Sequence, residues 1–297
     1  MKDFKIVTDS CCSLDDETII GNSLEVLPYF FTIEGQDYPA YDLETKKTVD
    51  YVEIYNKMRN RILPTTSQVN EYYAYEFFDN ILKSGKDLIY IGFTVALSNS
   101  FNNISTALEK LKEKYPKQKI LYIDSLSASI GEGMLVLKAC EMKNQGYTIE
   151  EVYDHIMEDR HRIFHLVTAD DLYYLHRGGR LSSASFMIAK TLKIKPLIQV
   201  TETGSLEGVA KVIGRKRAIK EMASIVARTA IDQENATVYI VHADCLAEAV
   251  LLQNYIKEKA KIKDFHIGVI DCVIGAHVGP GGVGVIFRAK DRKIVKK

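Results

Sequence analysis

Short, continuous apolar runs that end in Asp, Ser or Thr recur along the first half of the chain, each followed by a stretch with helical spacing. Residues 88–93 and 120–124 are apolar at nearly every position, and 5–8 centres on the apolar pair Ile6-Val7; these runs are continuous rather than alternating, the pattern of strands covered on both faces. Between the last two, Ile104, Leu108 and Leu111 recur at helical spacing with Glu109, Lys110, Lys112 and Glu113 outside, which predicts a crossover helix. After Asp124-Ser125, residues 134–140 predict a mostly apolar helix that ends near Gly146. This half therefore reads as a doubly wound, mostly parallel α/β domain, a fold that takes ligands in the crevice at the carboxyl ends of its strands.

The second half has a different texture. Residues 164–168, 194–201, 205–212, 236–241, 265–271 and 282–288 predict strands, and 215–231 and 246–259 predict helices. The runs 194–201 and 205–212 are separated only by Glu202-Thr203-Gly204, a hairpin signal, so the second sheet is expected to be partly antiparallel. The break falls within 146–158, giving an N-terminal α/β domain over 1–155 and a C-terminal α/β domain over 156–297.

Composition narrows the function classes. At 297 residues the chain is long enough for two cores. Hydrophobic content of 46% against 26% charged residues is that of a globular protein and excludes extended disorder. Lys plus Arg and Asp plus Glu are both 39, so there is no net positive field to attract nucleic acid. The opening residues lack the apolar centre of a signal peptide, and no run approaches the ~20 apolar residues of a membrane helix, so the expected location is the cytoplasm. Cys11 and Cys12 are adjacent and Cys140, Cys245 and Cys272 are scattered without C-x-x-C spacing, which reads as reduced structural thiols rather than metal ligands.

The candidate chemistry sits in a few small motifs. Gly275-Ala276-His277-Val278-Gly279-Pro280-Gly281-Gly282-Val283-Gly284 places one titratable side chain among small residues and predicts a rigid loop that mounts His277. Thr65-Thr66-Ser67-Gln68 follows Pro64 and predicts a helix start; Leu97-Ser98-Asn99-Ser100 follows the second strand, and Asp124-Ser125 ends the third. Singly, such residues are ordinary helix caps. With His277 they make a set of neutral donors beside helix N-termini, suited to an anion. No Walker A pattern or G-x-G-x-x-G follows a strand, which favours a carboxylate over a phosphate.

Thr8-Asp9-Ser10, Thr66-Ser67-Gln68, Leu97-Ser98-Asn99-Ser100, Asp124-Ser125, Leu175-His176-Arg177-Gly178-Gly179-Arg180-Leu181-Ser182 and the His277 segment occur in an order that resembles the DegV family over nearly the whole chain. The resemblance implies a bacterial two-domain lipid-binding protein, the fatty-acid-binding subunit of fatty acid kinase. It implies a long-chain fatty acid whose carboxylate is held by Thr66, Ser98 and His277, with Ser67, Asn99, Ser125, Gly279 and Gly281 in support. The N-terminal domain would then carry carboxylate-binding motifs, and the C-terminal domain the His277 loop and an acyl tunnel. Two departures stand out: Asn99-Ser100 where the family usually has Gly-Thr, and Val69 where it usually has Pro. A side chain at 99 is expected to alter the approach to the head group.

A carrier for such a ligand must be dry inside, since burying ~15 methylenes is worth roughly 12 kcal/mol at ~0.8 kcal/mol each. Phe186, Met187, Ile188, Leu192 and Ile194 are the expected acyl-lining residues. Arg177 and Arg180 are expected outside a greasy pocket, as a docking contact for the ATP-dependent kinase partner, extended by Arg215-Lys216-Arg217. Transient membrane contact is expected, but no cofactor, metal, nucleic acid or catalytic residue in this chain. The competing reading is a stand-alone hydrolase or transferase with His277 as nucleophile or general base, although no G-x-S-x-G elbow accompanies it.

Overall fold

The computed structural model describes residues 3–181 and 194–293. The chain divides into two compact units, one running up to Val49 and resuming over Thr66–Arg160, the other comprising Asp50–Thr65 and the chain from His161 onward. The division therefore differs from a cut at 155: a segment inside the first half belongs to the second unit.

In the first unit, β1 (Phe4–Asp9), β2 (Glu25–Leu27), β8 (Asp87–Gly92) and β9 (Ile120–Asp124) form a wholly parallel sheet in the order β2-β1-β8-β9. Every residue of β8 is buried, as its unbroken Leu88-Ile89-Tyr90-Ile91 run requires. Helices Glu71–Leu82 and Ser100–Lys114 pack on each other and meet the sheet through Phe78 and Phe101, whose rings flank Tyr90 at 5.4 and 5.9 Å. Helices Ile130–Asn144 and Ile149–Asp159 form a second pair against β8. Shorter strands decorate this unit. β3 (Phe30–Ile33) and β4 (Gln36–Pro39) pair antiparallel, β5 (Tyr41–Asp42) pairs with β6 (Lys47–Thr48), and β7 (Thr65–Ser67) lies beside β3.

The second unit holds a six-stranded sheet of β10 (Ile163–Thr168), β11 (Ile194–Val200), β12 (Leu206–Ile213), β13 (Thr237–His242), β14 (Asp264–Val269) and β15 (Val283–Arg288), in the order β12-β11-β10-β15-β13-β14. Only β13 and β14 pair parallel; β11 and β12 form the expected hairpin, closed by Thr201 N–H donating to Ser205 O at 2.7 Å. Helices Arg215–Thr229 and Leu246–Lys257 cover one face, where Phe164, Leu166, Ile219, Met222, Leu252, Val285 and Phe287 form the main core. The opposite face of β10 and β11 carries a smaller apolar cluster of Ala169, Leu172, Leu175, Leu181 and Ile198, because side chains alternate along a strand. Helix Tyr51–Arg59 joins this unit through Tyr55, whose hydroxyl donates to Ile270 O at 2.8 Å, and Arg59, which pairs with Asp244. Among the described residues no helix is long and apolar enough to cross a membrane.

Candidate ligand-binding site

In the first unit Ser98 and Ser125 follow the carboxyl ends of β8 and β9, while Thr66 and Ser67 lie in the separate β4-β3-β7 sheet. Ser98 lies half-buried in the loop after β8. Its hydroxyl donates to Ser100 Oγ at 2.9 Å and accepts from Ser100 N–H at 3.2 Å. Ser100 opens the Ser100–Lys114 helix and is wholly buried. Its own oxygen also accepts from Val69 N–H at 3.0 Å, tying the stretch just after Thr66-Ser67-Gln68 to the Ser98 loop. Thr66 and Ser67 do not start a helix, contrary to expectation. They lie in β7, and the helix begins at Glu71 behind the true cap Asn70, which accepts from Tyr73 N–H. Thr66 is half-buried and Ser67 exposed. Ser125 is buried with its hydroxyl engaged locally, accepting from Ser127 N–H at 3.1 Å. Nor does Asp124-Ser125 cap a helix, since the next one starts at Ile130.

In the second unit, the stretch expected to be a loop is in part a helix. Cys272–Val278 is helical, capped by Asp271, which accepts from Val273 and Ile274 N–H at 2.9 Å, and His277 occupies its last turn. The glycines suggested a loop, but the Asp cap and the compact Cys-Val-Ile-Gly-Ala run suffice for two turns. Gly279 ends the helix at φ +79°, and a Cβ there would fall 2.3 Å from the Tyr174 ring. Gly281 donates its N–H to Ala243 O at 2.8 Å.

His277 has neighbours that the sequence reading set apart from it. A Cβ on Gly178 would lie 2.1 Å from His277 Nδ1, so the glycine of the Arg-Gly-Gly-Arg motif is the surface on which the imidazole rests. Burial, then the charges of Arg180 and Arg177, push the imidazole pKa down to about 4. The ring is therefore neutral at pH 7, with one nitrogen a donor and the other an acceptor. Arg180 is half-buried and donates to Gly178 O, and burial lowers its own pKa. Arg177 is exposed, with Nη1 donating to Pro64 O at 3.0 Å. Arg215 turns back onto Glu248, at 3.0 Å from Nε to Oε2, and Gly281 O. Of the expected acyl-lining residues, Ile194 is half-buried at the start of β11, while Phe186, Met187, Ile188 and Leu192 lie outside the described residues. Among the described residues no group of three or more His, Cys, Asp or Glu side chains could hold a metal ion.

The model of the DegV family, described as an uncharacterised protein family, matches residues 3–290. The chain belongs to the DegV family. A DegV domain-containing protein of Clostridium perfringens is 36% identical over 287 residues, covering 97% of this chain and 98% of the relative. Among solved structures, a fatty acid binding DegV family protein from Streptococcus agalactiae superposes with a TM-score of 0.84 at 25% identity, over 98% of this chain and all of that one. A DegV family protein from Eubacterium eligens loaded with heptadecanoic acid superposes with a TM-score of 0.83 at 18% identity, over 97% of this chain and 100% of that one.

The two departures from the usual DegV motifs have a structural account. Asn99 has φ −72° and ψ 0°, ordinary helical backbone that needs no glycine, and its Oδ1 accepts from Asn102 Nδ2 at 2.7 Å. The extra side chain is thus engaged by its own helix. Val69, unlike proline, carries a backbone N–H, and Ser100 Oγ accepts it.

Proposed function

We propose that this DegV protein is a fatty-acid-binding carrier, which holds a long-chain fatty acid by its carboxylate and presents it to a separate ATP-dependent kinase for conversion to an acyl phosphate. The head-group donors are Thr66, Ser98 and His277, as the family resemblance implies, with Ser67, Asn99, Ser125, Gly279 and Gly281 shaping the backbone around them. The observation that carries the reading is the state of His277: a neutral imidazole with two guanidinium charges close enough to depress its pKa. Such a group donates a hydrogen bond in a positive field, which favours a monoanion while leaving its oxygens free of a bidentate salt bridge. The smaller apolar cluster with Leu172, Leu175 and Ile198 offers acyl-chain surface, continued by Ile194. Arg177, being exposed, is the member of the arginine pair offered to the kinase. A general base works best with a pKa near the operating pH, so an imidazole at about 4 weighs against the stand-alone hydrolase.

Mass spectrometry of an organic extract from protein purified without added lipid tests this reading. A free long-chain fatty acid in near-stoichiometric amount is expected, and an extract with no fatty acid, or with another lipid class in its place, overturns it.

A further inference from the structure

The Thr8-Asp9-Ser10 motif has no part in the head-group reading, yet Asp9 is a wholly buried acid of the first unit. It ends β1, beside β8, where the strand order β2-β1-β8-β9 turns in opposite directions. That is the position at which open α/β sheets place their ligand crevice. Oδ1 accepts from Cys11 N–H at 3.0 Å in the turn after its own strand. Oδ2 reaches across to the next strand, accepting from the Tyr90 hydroxyl at 2.8 Å and from Phe93 N–H at 2.9 Å.

Phe93 begins the loop that carries Ser98. From there Thr94 N–H donates to Ser127 O at 3.1 Å, Leu97 N–H donates to Thr94 O at 3.2 Å, and Ser98 closes onto Ser100. Each turn of this loop is fixed relative to the one before, and Asp9 fixes the first. The sheet itself does not require the carboxylate, since β1 and β8 are already paired from Phe4↔Asp87 to Val7↔Tyr90. Burial raises the Asp9 carboxyl to about 6 in spite of the donors facing it, the Phe93 and Cys11 amides, the Tyr90 hydroxyl and the Cys11 thiol, in surroundings that include Tyr29 and Glu132. An acid is kept there at a cost in stability; with one oxygen it caps the Ser10–Cys12 turn after its own strand, and with the other it holds the first amide of the Ser98 loop.

We propose that Asp9 is a positioning residue for the head-group site, its carboxylate setting the loop from which the Ser98 hydroxyl turns off Ser100 Oγ to donate to a bound fatty-acid carboxylate. This rests on the reading of Ser98 as a head-group donor.

The test is a double-mutant cycle on the full-length chain, with affinity read by displacement of a fluorescent hexadecanoic acid analogue. Asp9→Asn keeps the volume but turns an accepting oxygen into an amide that faces other donors. Asp9→Asn should weaken binding about ten-fold in the wild-type background and less than about two-fold once Ser98 is already Ala, the signature of one group acting through the other. An equal loss in both backgrounds, or no loss in either while Ser98→Ala weakens binding, overturns the inference and leaves the head-group reading standing. No effect of Ser98→Ala overturns that reading and this inference with it. If Asp9→Asn cannot be purified folded, Tyr90→Phe takes its place in the same cycle: a coupled loss of about three-fold supports the proposal, and an uncoupled or absent one overturns it.

Discussion

His277 rests on Gly178 with no space between them for a methyl group. Its proton affinity is depressed by burial and by Arg180 and Arg177, so the imidazole stays neutral down to about pH 4. The unfolded chain takes up that proton near pH 6.5, so the stability carried by the neutral ring is complete above about 6.5 and is lost as the pH falls through about 4. Gly178→Ala would push the ring off its seat. The His277 titration followed by NMR should then move from about 4 toward the ordinary value near 6.5, and the acid-side slope of stability should flatten. An unchanged midpoint in a folded Gly178→Ala protein would show that the ring does not depend on this contact. His277 was singled out by its small-residue surroundings in the sequence. Its partnership with Gly178 was not, because nothing in a linear pattern says which glycine a distant ring will touch.

Between elements, the start of the Ser100–Lys114 helix is joined to the end of the Thr66-containing stretch by Val69 N–H and Ser100 Oγ. Both groups are buried. Ser100→Ala should therefore cost about 1–3 kcal/mol in chemical unfolding, the usual penalty for a stranded buried donor. Val69→Pro removes that donor, so adding it to Ser100→Ala should recover most of the loss. Destabilisation that persists in the double variant would assign Ser100 some other role. This junction explains why β7 was misread as a helix start: Thr66-Ser67 has capping residues, but its backbone is taken by pairing beside β3. The Cys272–Val278 helix was misread in the opposite sense, although the Asp271 cap ahead of an apolar run was a visible signal.

On the scale of the whole molecule, the chain carries no Walker A loop or kinase glycine-rich loop, and the described residues offer no metal-ligand cluster. Purified protein with fatty acid, ATP and Mg²⁺ should yield no acyl phosphate, and the product should form when a cognate ATP-binding kinase subunit is supplied. Radiolabelled phosphate transfer to the lipid fraction measures this. Turnover that survives removal of contaminating kinase and vanishes in His277→Ala would overturn the carrier reading in favour of an enzyme in its own right.

The strands at β1, β8, β9 and β10–β15, the crossover helix and the β11–β12 hairpin were legible in the amino-acid order, because burial on one or both faces is written directly into hydrophobic period and turn residues. Of the motifs, Leu97-Ser98-Asn99-Ser100 and Asp124-Ser125 do follow strands β8 and β9, whereas Thr66-Ser67 lies in a strand and His277 in a helix, because helix caps, strand ends and loops draw on the same few residue types. Tertiary structure alone decided that Asp50–Thr65 belongs with the second unit, since the apolar stripe Ile54, Tyr55, Met58 marks a buried face without naming what covers it. It alone placed Arg177, Gly178 and Arg180 around His277, and Asp9 on the amide that begins the Ser98 loop. Local periodicity encodes whether a side chain is buried. Which groups it meets there depends on surfaces that come together only when the chain has folded, and the charge state of His277 and Asp9 depends on those meetings.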